Sequence, residues 1–446
     1  MGRSGTLDQR PAWTREQLSE ALGESALRLI ATIAKRAHAE NIAIYLVGGV
    51  VRDLLLEREN LDLDFVLEGD AIAFACKLAR IYGGETERHA PFGTAKWKLD
   101  SAAISNLSLG SEAIPAQIDF ATARTEEYPA PAALPAVEPG LIWQDLRRRD
   151  FTVNALALRV EAGSCPWQML DPGDGYSDIL GKKIRVLHAQ SFIDDPTRIF
   201  RAFRFASRFG FTIESSTADI LHAAIPMIQR LSGERIRHEL DLILREKYPE
   251  RIIADLSELD IFSQIHDSFL IGMRSTGQLK RLREHMPQMP GNADDIARLG
   301  WHLLFSSIAE DDALLISARL GLTGDLSNSI AGFARLLSKV DWLGAPATKA
   351  SAITRFLDGV SATALRAALI CNVDDHAVKE RMESYMADWR HRRTTIDGND
   401  LIRAGLAPGP IYREILDKLR GAWIDGEIES GEQERELFLK LVKEAK

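Results

Sequence analysis

Two short segments hold residues whose types and order suit chemistry on a triphosphate. The first is Gly48-Gly49-Val50-Val51-Arg52-Asp53, and the second, shortly after it, is Leu61-Asp62-Leu63-Asp64-Phe65. Alternation along a strand predicts Asp62 and Asp64 on one face, about 7 Å apart, with Leu61, Leu63 and Phe65 turned to the core. Two exposed carboxylates form a hard oxygen site suited to Mg²⁺. Such a site can activate a hydroxyl and stabilise departing pyrophosphate. Gly48-Gly49 falls at a predicted strand-to-helix junction, where bare backbone lets phosphate reach the N–H groups of the helix start. Arg52, one turn into that helix, can neutralise phosphate charge. Taken singly, an Asp-x-Asp is commonly a solvated strand face and a Gly-Gly a plain turn. Their order and closeness together point to a metal-dependent nucleotide site. Asp119, on a later predicted strand, is a third acidic candidate, although an exposed strand aspartate is also ordinary.

A second group lies on the helix expected to begin near Pro196. At 3.6 residues per turn, Arg198, Arg201, Arg204 and Arg208 share an arc of about 120°, with Ile199, Ala202, Phe203 and Ala206 on the other side. Proline suits the first helical position, and Asp194 or Asp195 suits the cap. In isolation this is a solvated arginine stripe. Behind a triphosphate site it becomes a candidate nucleotide-facing surface.

The elements that must position these groups can be read from periodicity and breakers. Leu18–Ala39 reads as one amphipathic helix, Ile42–Val47 as a buried strand, Val50–Leu56 as a helix and Leu61–Leu67 as an alternating strand. Asp70 caps a helix running to about Arg80, ended by Gly83-Gly84. Ala95–Leu99 and Gln117–Ala121 read as further strands, and the Pro- and Ala-rich Glu126–Gly140 as a mobile loop. From Pro196 onward strand signals are few. The pattern is α+β: an α/β head followed by a long all-α remainder.

Composition sets the outer bounds. With 446 residues, 46% of them hydrophobic, the chain is long enough for two to four domains. No apolar run approaches the ~20 residues needed to span a bilayer, and Met1–Trp13 lacks the apolar core of a secretory signal. Cys76, Cys165 and Cys371 are too scattered for a disulfide framework or a zinc site, so a reducing cytoplasm is expected. The net charge of −9 argues against attraction to nucleic acid along the whole chain, yet residues 181–250 hold 12 Lys/Arg against 9 Asp/Glu.

These motifs carry a resemblance. GGVVRDLLL with DLDFV resembles the head of the class II tRNA nucleotidyltransferase and bacterial poly(A) polymerase family. RRDFTVNALAL (Arg148–Leu158), DPGDGYSDILGKKIRVL (Asp171–Leu187), DDPTRIFRAFRFASRFGF (Asp194–Phe211) and SGERIRHELDLIL (Ser232–Leu244) are similar, in order, to that family's later motifs. The segments Asp397–Leu416 and Ile424–Ile428 resemble its tail. The resemblance implies a polymerase-β-like nucleotidyltransferase head with a mixed sheet, then all-α neck, body and tail. It implies an N-terminal helix in 1–40, the catalytic head in 41–165, a nucleotide-selecting, RNA-binding neck in 166–250, a helical body in 251–390 and a tRNA-binding tail in 391–446. It further implies addition or repair of the tRNA 3′-terminal CCA from CTP and ATP, with Mg²⁺, at no membrane. Residue by residue, Asp62 and Asp64 would be the metal ligands, joined by Asp119. Gly48, Gly49 and Arg52 would hold the triphosphate. Arg149 would contact nucleotide, and Asp150 and Asn154 would order the sugar. Asp195 and Arg198 would read the base edge, with Arg201 and Arg204 supporting the pocket and phosphates.

Hydrogen-bond complementarity explains such a choice. Cytosine and adenine each place an exocyclic amine beside a ring nitrogen acceptor, so a carboxylate and a guanidinium can pair with both. Guanine and uracil would set a carbonyl against the carboxylate. A change from C to A needs a movable pocket, a role that fits Glu126–Gly140. There are departures: Glu57 stands where many relatives have Gly, Asp194 where they have Glu, and Arg413 where Gly is common. RTEEYPAPAALPAVEP also resembles relatives that divide the labour, which keeps CC-only or A-only addition open. Poly(A) tailing ranks below, because Asn60-Leu61 replaces a PKD-type lead-in, and a non-catalytic RNA-binding protein ranks last. His266-Asp267 reads as a surface pair rather than a phosphohydrolase site. Trp389–Arg393 could contact phosphate or be a plain basic turn.

Overall fold

The computed structural model describes residues 13–445 apart from 111–113, 162, 164–166, 286–292 and 373, so Cys165 and residues 1–12 lie outside the described residues. The chain divides into two compact units, Met1–Leu231 and Ser232–Lys446.

The first unit opens with α1 (Arg15–Leu22) and α2 (Glu24–Ala39) in place of the single helix expected. The break is Gly23, whose φ of 84° lies outside the helical range, and Thr14 caps α1 in a reciprocal box with Gln17. There follow β1 (Ala43–Val47), α3 (Gly49–Leu55), β2 (Leu63–Glu68), α4 (Ala71–Tyr82), β3 (Glu85–His89), β4 (Thr94–Lys98), α5 (Ser101–Asn106) and β5 (Gln117–Thr122). Asp70 caps α4 by accepting the Ala73 N–H, as its position predicts. The expected loop is instead a hairpin at both ends, β6 (Arg124–Glu127) with β7 (Ala136–Pro139), and only the residues between form the turn. Then come α6 (Ile142–Arg147), β8 (Ala157–Arg159), β9 (Gln168–Leu170), α7 (Gly175–Leu180), β10 (Lys183–Ile184), α8 (Ser191–Asp194), α9 (Thr197–Phe209), β11 (Thr212–Ile213) and α10 (Ser215–Ala224). β10 and β11 form a two-residue parallel ladder inside the largely helical stretch.

The main sheet has seven strands in the order β3-β4-β5-β2-β1-β8-β9. It is mixed: β2 and β5 run parallel, and the remaining neighbours are antiparallel. Alternation divides its faces. Leu63, Phe65 and Leu67 are fully buried on one side, where Phe65 stacks on Phe120 at 5.5 Å and Phe74 of α4 meets Phe120 edge-on at 5.8 Å. On the other side Val66, Tyr45 and Val47 pack with Ile142 and Leu146 of α6. Asp64 shares that second face with Val66. This is the polymerase-β-like head with its mixed sheet.

The second unit is helical among its described residues, beginning with α11 (Gly233–Leu244), which Ser232 caps. Its last part is held by an apolar cluster of Leu401, Ile415, Leu419 and Phe438 among others, and Asp397 caps Gly398–Arg403 through the Asn399 and Asp400 N–H groups. Trp389–His391 is a 3₁₀ turn in which the Trp389 carbonyl, with that of Arg392, receives Arg420. His266 accepts the Ser268 N–H, and it belongs to no metal-competent cluster among the described residues. No helix among the described residues is long and apolar enough to cross a membrane.

Candidate active site

Parallel pairing of β2 with β5 sets Asp64 directly beside Asp119. Asp62 joins them, and one carboxylate oxygen from each of the three lies within 4.8 Å of the others. Alternation predicted Asp62 on the strand itself, and the structure corrects this. The ladder starts at Leu63, paired with Ile118, and Asp62 belongs to the preceding loop, its N–H bonded to Asn60 Oδ1 at 2.8 Å. Lys96, opposite Asp119 on β4, reaches its Oδ2 at 3.6 Å, whereas Asp119 Oδ1 is buried without a hydrogen-bond partner. Burial, then the charges of Asp62 and Asp119, push the Asp64 carboxyl up to about 7 against the pull of Arg149 and Lys96. Burial also raises Asp119, opposed by Lys96. Three hard oxygen donors, mutually repelling and with one orphaned oxygen, suit a divalent cation.

The glycine corner lies beside the acids. Gly48 has φ 66°, so the backbone demands glycine, and a Cβ there would come 2.9 Å from Arg149 Nη1 and displace that side chain. Arg52 is buried rather than extended into solvent. Its Nε and Nη2 donate to Asp53 at 2.9 and 3.0 Å, and Nη1 donates to Asn154 Oδ1 at 2.6 Å. Its guanidinium also lies 4.4 Å from the Phe209 ring centroid. Arg149 donates from Nε and Nη2 to Asp145 and from Nη1 to the Asn154 carbonyl.

Asp150 is a hub. It accepts from the Phe151 N–H, from Asn154 Nδ2 and twice from Arg201. Burial alone would raise its pKa, but Arg201, the Asn154 hydrogen bond and Arg198 outweigh that and hold it at about 2. On α9, Arg198 donates Nη1 to Ser191 Oγ at 2.6 Å and Nη2 to the Arg148 carbonyl at 2.7 Å. Asp195 Oδ1 accepts from Thr197 N and Oγ1, so it caps the helix from a position just before Pro196. The stripe is only partly solvated: Arg198 and Arg204 are buried and Arg208 is exposed. Phe205 gathers the guanidiniums of Arg52, Arg201, Arg204 and Arg208 at 4.9 to 5.9 Å from its centroid.

A cleft of about 470 Å³ unites most of these groups. Gly48, Gly49, Arg52, Asp64 and Arg149 line it together with Asp150, Asn154, Asp195, Arg198 and Arg201. Asp62 and Arg204 are not among its lining residues. Asp119 lines an adjoining hollow with Asp64, Lys96 and Arg149.

Four further residues belong to the site and escape a reading of the sequence alone. Glu126, Tyr128 and Arg148 line the cleft. Glu126 Oε1 accepts from Arg124 and from Arg148, and Oε2 accepts from the Tyr128 hydroxyl at 3.1 Å. Burial pushes the Tyr128 phenol up to about 12; Arg198 opposes this, and Glu126 and Asp195 add to it. The turn beyond Tyr128 is tied to α8 by the Ala132 N–H on the Ile193 carbonyl. Asp145, wholly buried on α6, receives both Arg148 and Arg149, and their pull outweighs burial to lower its pKa. A signal for it is present in the sequence: an aspartate three and four residues before two arginines, which here follow directly on the end of its helix.

Comparison with known proteins agrees with this architecture. Residues 44–185 match the poly A polymerase head domain, and residues 210–269 match the probable RNA and SrmB-binding site of polymerase A. The A-adding tRNA nucleotidyltransferase of Halalkalibacterium halodurans is 31% identical over 90% of this chain and 88% of its own length. The A-adding tRNA nucleotidyltransferase of Geobacter sulfurreducens is 31% identical over 96% of this chain but 48% of its own, so the chain spans about half of that relative. Among solved structures, a CCA-adding enzyme in an apo form superposes with a TM-score of 0.77 at 30% identity, covering 95% of this chain and 98% of that one. By sequence and by fold, the chain belongs to the family of tRNA nucleotidyltransferases and bacterial poly(A) polymerases.

Proposed function

We propose that this protein adds or repairs the 3′-terminal CCA of tRNA, using CTP and ATP without a nucleic-acid template and releasing pyrophosphate, in the cytoplasm. The observation that carries the reading is that one cleft is lined at once by Asp64, by the Gly48-Gly49 corner with Arg149, and by Asp195 with Arg198. Metal-side acid, phosphate-side cations and a carboxylate–guanidinium pair therefore face the same space.

In this reading the Gly48-Gly49 backbone and Arg149 receive the triphosphate. Arg52 holds the corner's shape through Asp53 and Asn154. Asp150 and Asn154, locked to each other and to Arg201, order the sugar's surroundings. Asp195 accepts from the exocyclic amine of cytosine or adenine, and Arg198 donates to the ring nitrogen. Each Arg198 terminal nitrogen carries a second hydrogen beyond the bond it makes to Ser191 or Arg148. Arg204 acts indirectly, by packing on Phe205. Asp62 and Asp64, with Asp119 beside them, would hold Mg²⁺, which supplies Lewis-acid activation of the attacking 3′-hydroxyl and charge neutralisation at the leaving pyrophosphate.

A second reading, addition of the terminal A alone, is favoured by the 31% identity to A-adding relatives. Nucleotide omission separates the two. Transcripts of one tRNA ending at the discriminator base, at C or at CC are incubated with CTP, ATP or both. CCA formed on the shortest transcript supports full addition. Extension confined to the CC-ended transcript with ATP replaces it with the second reading, and long A tails on all three overturn both.

A further inference from the structure

The structure assigns a role to Asn60 that neither the motifs nor the family match supplies: we propose that it is a positioning residue which sets the metal-side acid Asp62 against the phosphate-side corner. Asp62 precedes β2, so the sheet ladder does not fix its backbone. Asn60 does so. Its Oδ1 accepts the Asp62 N–H at 2.8 Å, and its Nδ2 donates to Asp53 Oδ2 at 2.6 Å. That same Asp53 carboxylate, itself buried, holds Arg52 through two further bonds.

The connection from α3 to β2 is folded back to make this contact. Leu56 ends the helix, Glu57 takes φ 52°, and the Arg58 N–H returns to the Asp53 carbonyl at 2.9 Å. The Asn60 amide then lies against the glycine corner, with its Nδ2 3.5 Å from where a Cβ on Gly49 would stand. One short path thus runs from Arg52 through Asp53 and Asn60 to Asp62.

The residue type is demanded by the partners. A carboxylate can only accept and a backbone N–H can only donate, so one planar group must offer a donor and an acceptor side by side. Aspartate would face Asp53 with a second acceptor, and serine is too short to serve both. The partners also fix which end of the amide is oxygen. Groups that hold a metal ligand in place typically change metal affinity ~10–100-fold when removed.

The inference rests on the metal role proposed for Asp62, and a direct metal titration keeps the two separable. Mn²⁺ binding to the full chain is followed by the loss of the free-ion electron paramagnetic resonance signal, for wild type, Asn60→Ala and Asn60→Ser, alongside the Mg²⁺ dependence of nucleotide addition. Asn60→Ala is expected to weaken Mn²⁺ ~10-fold and to move the Mg²⁺ midpoint of activity by a similar factor, with CTP-to-ATP preference unchanged. Asn60→Ser, which keeps an acceptor for the Asp62 N–H, is expected to fall between, and it serves if the alanine variant does not fold. Unchanged Mn²⁺ affinity in either folded variant overturns the proposal. Absence of Mn²⁺ binding to wild type instead overturns the metal role on which it rests.

Discussion

Asp64 and Asp119 stand side by side on the parallel strands β2 and β5, 55 residues apart in sequence and brought together only by strand register. With Asp62 they form a carboxylate trio in which burial first, and then the charges of Asp62 and Asp119, push the Asp64 carboxyl up to about 7.

A pH signature follows from that value. An unfolded aspartate ionises near 3.8, whereas Asp64 in the folded, metal-free chain holds its proton to about 7. As pH rises between those values the unfolded state loses its proton first, so the folded state loses stability across this window and the loss is complete above it. Asp64→Asn should therefore raise metal-free stability by on the order of 4 kcal/mol at pH 8 and by little at pH 4. Thermal melts at the two pH values check this. Added Mg²⁺ should stabilise wild type and leave the variant nearly unchanged.

Asp145 holds two cleft arginines from a fully buried position. Asp145→Asn keeps the volume but leaves Arg148 and Arg149 without their shared counter-ion. A loss of about 3 kcal/mol is expected, together with a ~10–100-fold fall in kcat/KM from misplaced cations. Urea unfolding and steady-state kinetics measure the two effects.

Arg198 and Tyr128 line the cleft alongside Asp195. Arg198→Ala should lower CTP and ATP use and admit UTP or GTP, with tRNA affinity unchanged. Tyr128→Ala should raise KM for both nucleotides, whereas Tyr128→Phe, which keeps the ring but not the bond to Glu126, should have the smaller effect. Misincorporation assays with single nucleotides, paired with tRNA gel shifts, separate selection from RNA binding.

Much of this site is legible locally. The Asp70 cap, the two aspartates near β2, the glycine corner and the arginine helix all depend on residues close in sequence, where periodicity and capping act. Long-range features are not. The pairing of Asp119 with Asp64 is a matter of register, which no local pattern encodes. β3 reads as polar because its residues, Glu85 to His89, are mostly exposed at the edge of the sheet. The β6–β7 hairpin hides in Pro- and Ala-rich sequence because it is held by Glu126 bonding to Arg124 and to the distant Arg148. Asp62 lies off the strand because the ladder of β2 with β5 begins one residue too late to include it. Glu57 adopts a positive φ, a conformation that favours Gly, and the neighbouring return of Arg58 to Asp53 holds it in place.

Gly48 offers a test of the corner itself. Its φ of 66° with ψ of −118°, and the Arg149 Nη1 group 2.9 Å from where an alanine Cβ would stand, predict that Gly48→Ala costs about 1–3 kcal/mol and displaces Arg149. Calorimetry should show the loss, and nucleotide KM should rise with it. An unchanged KM would separate Arg149 from the nucleotide.

The most direct measurement is extension of a tRNA transcript lacking CCA by Asp62→Ala and Asp64→Ala beside wild type, with CTP, ATP and Mg²⁺, and tRNA binding followed in parallel. Wild type should complete the 3′ end, while both variants bind the transcript as wild type does and add no nucleotide. Undiminished extension by either variant would contradict the assignment of chemistry to this acidic trio.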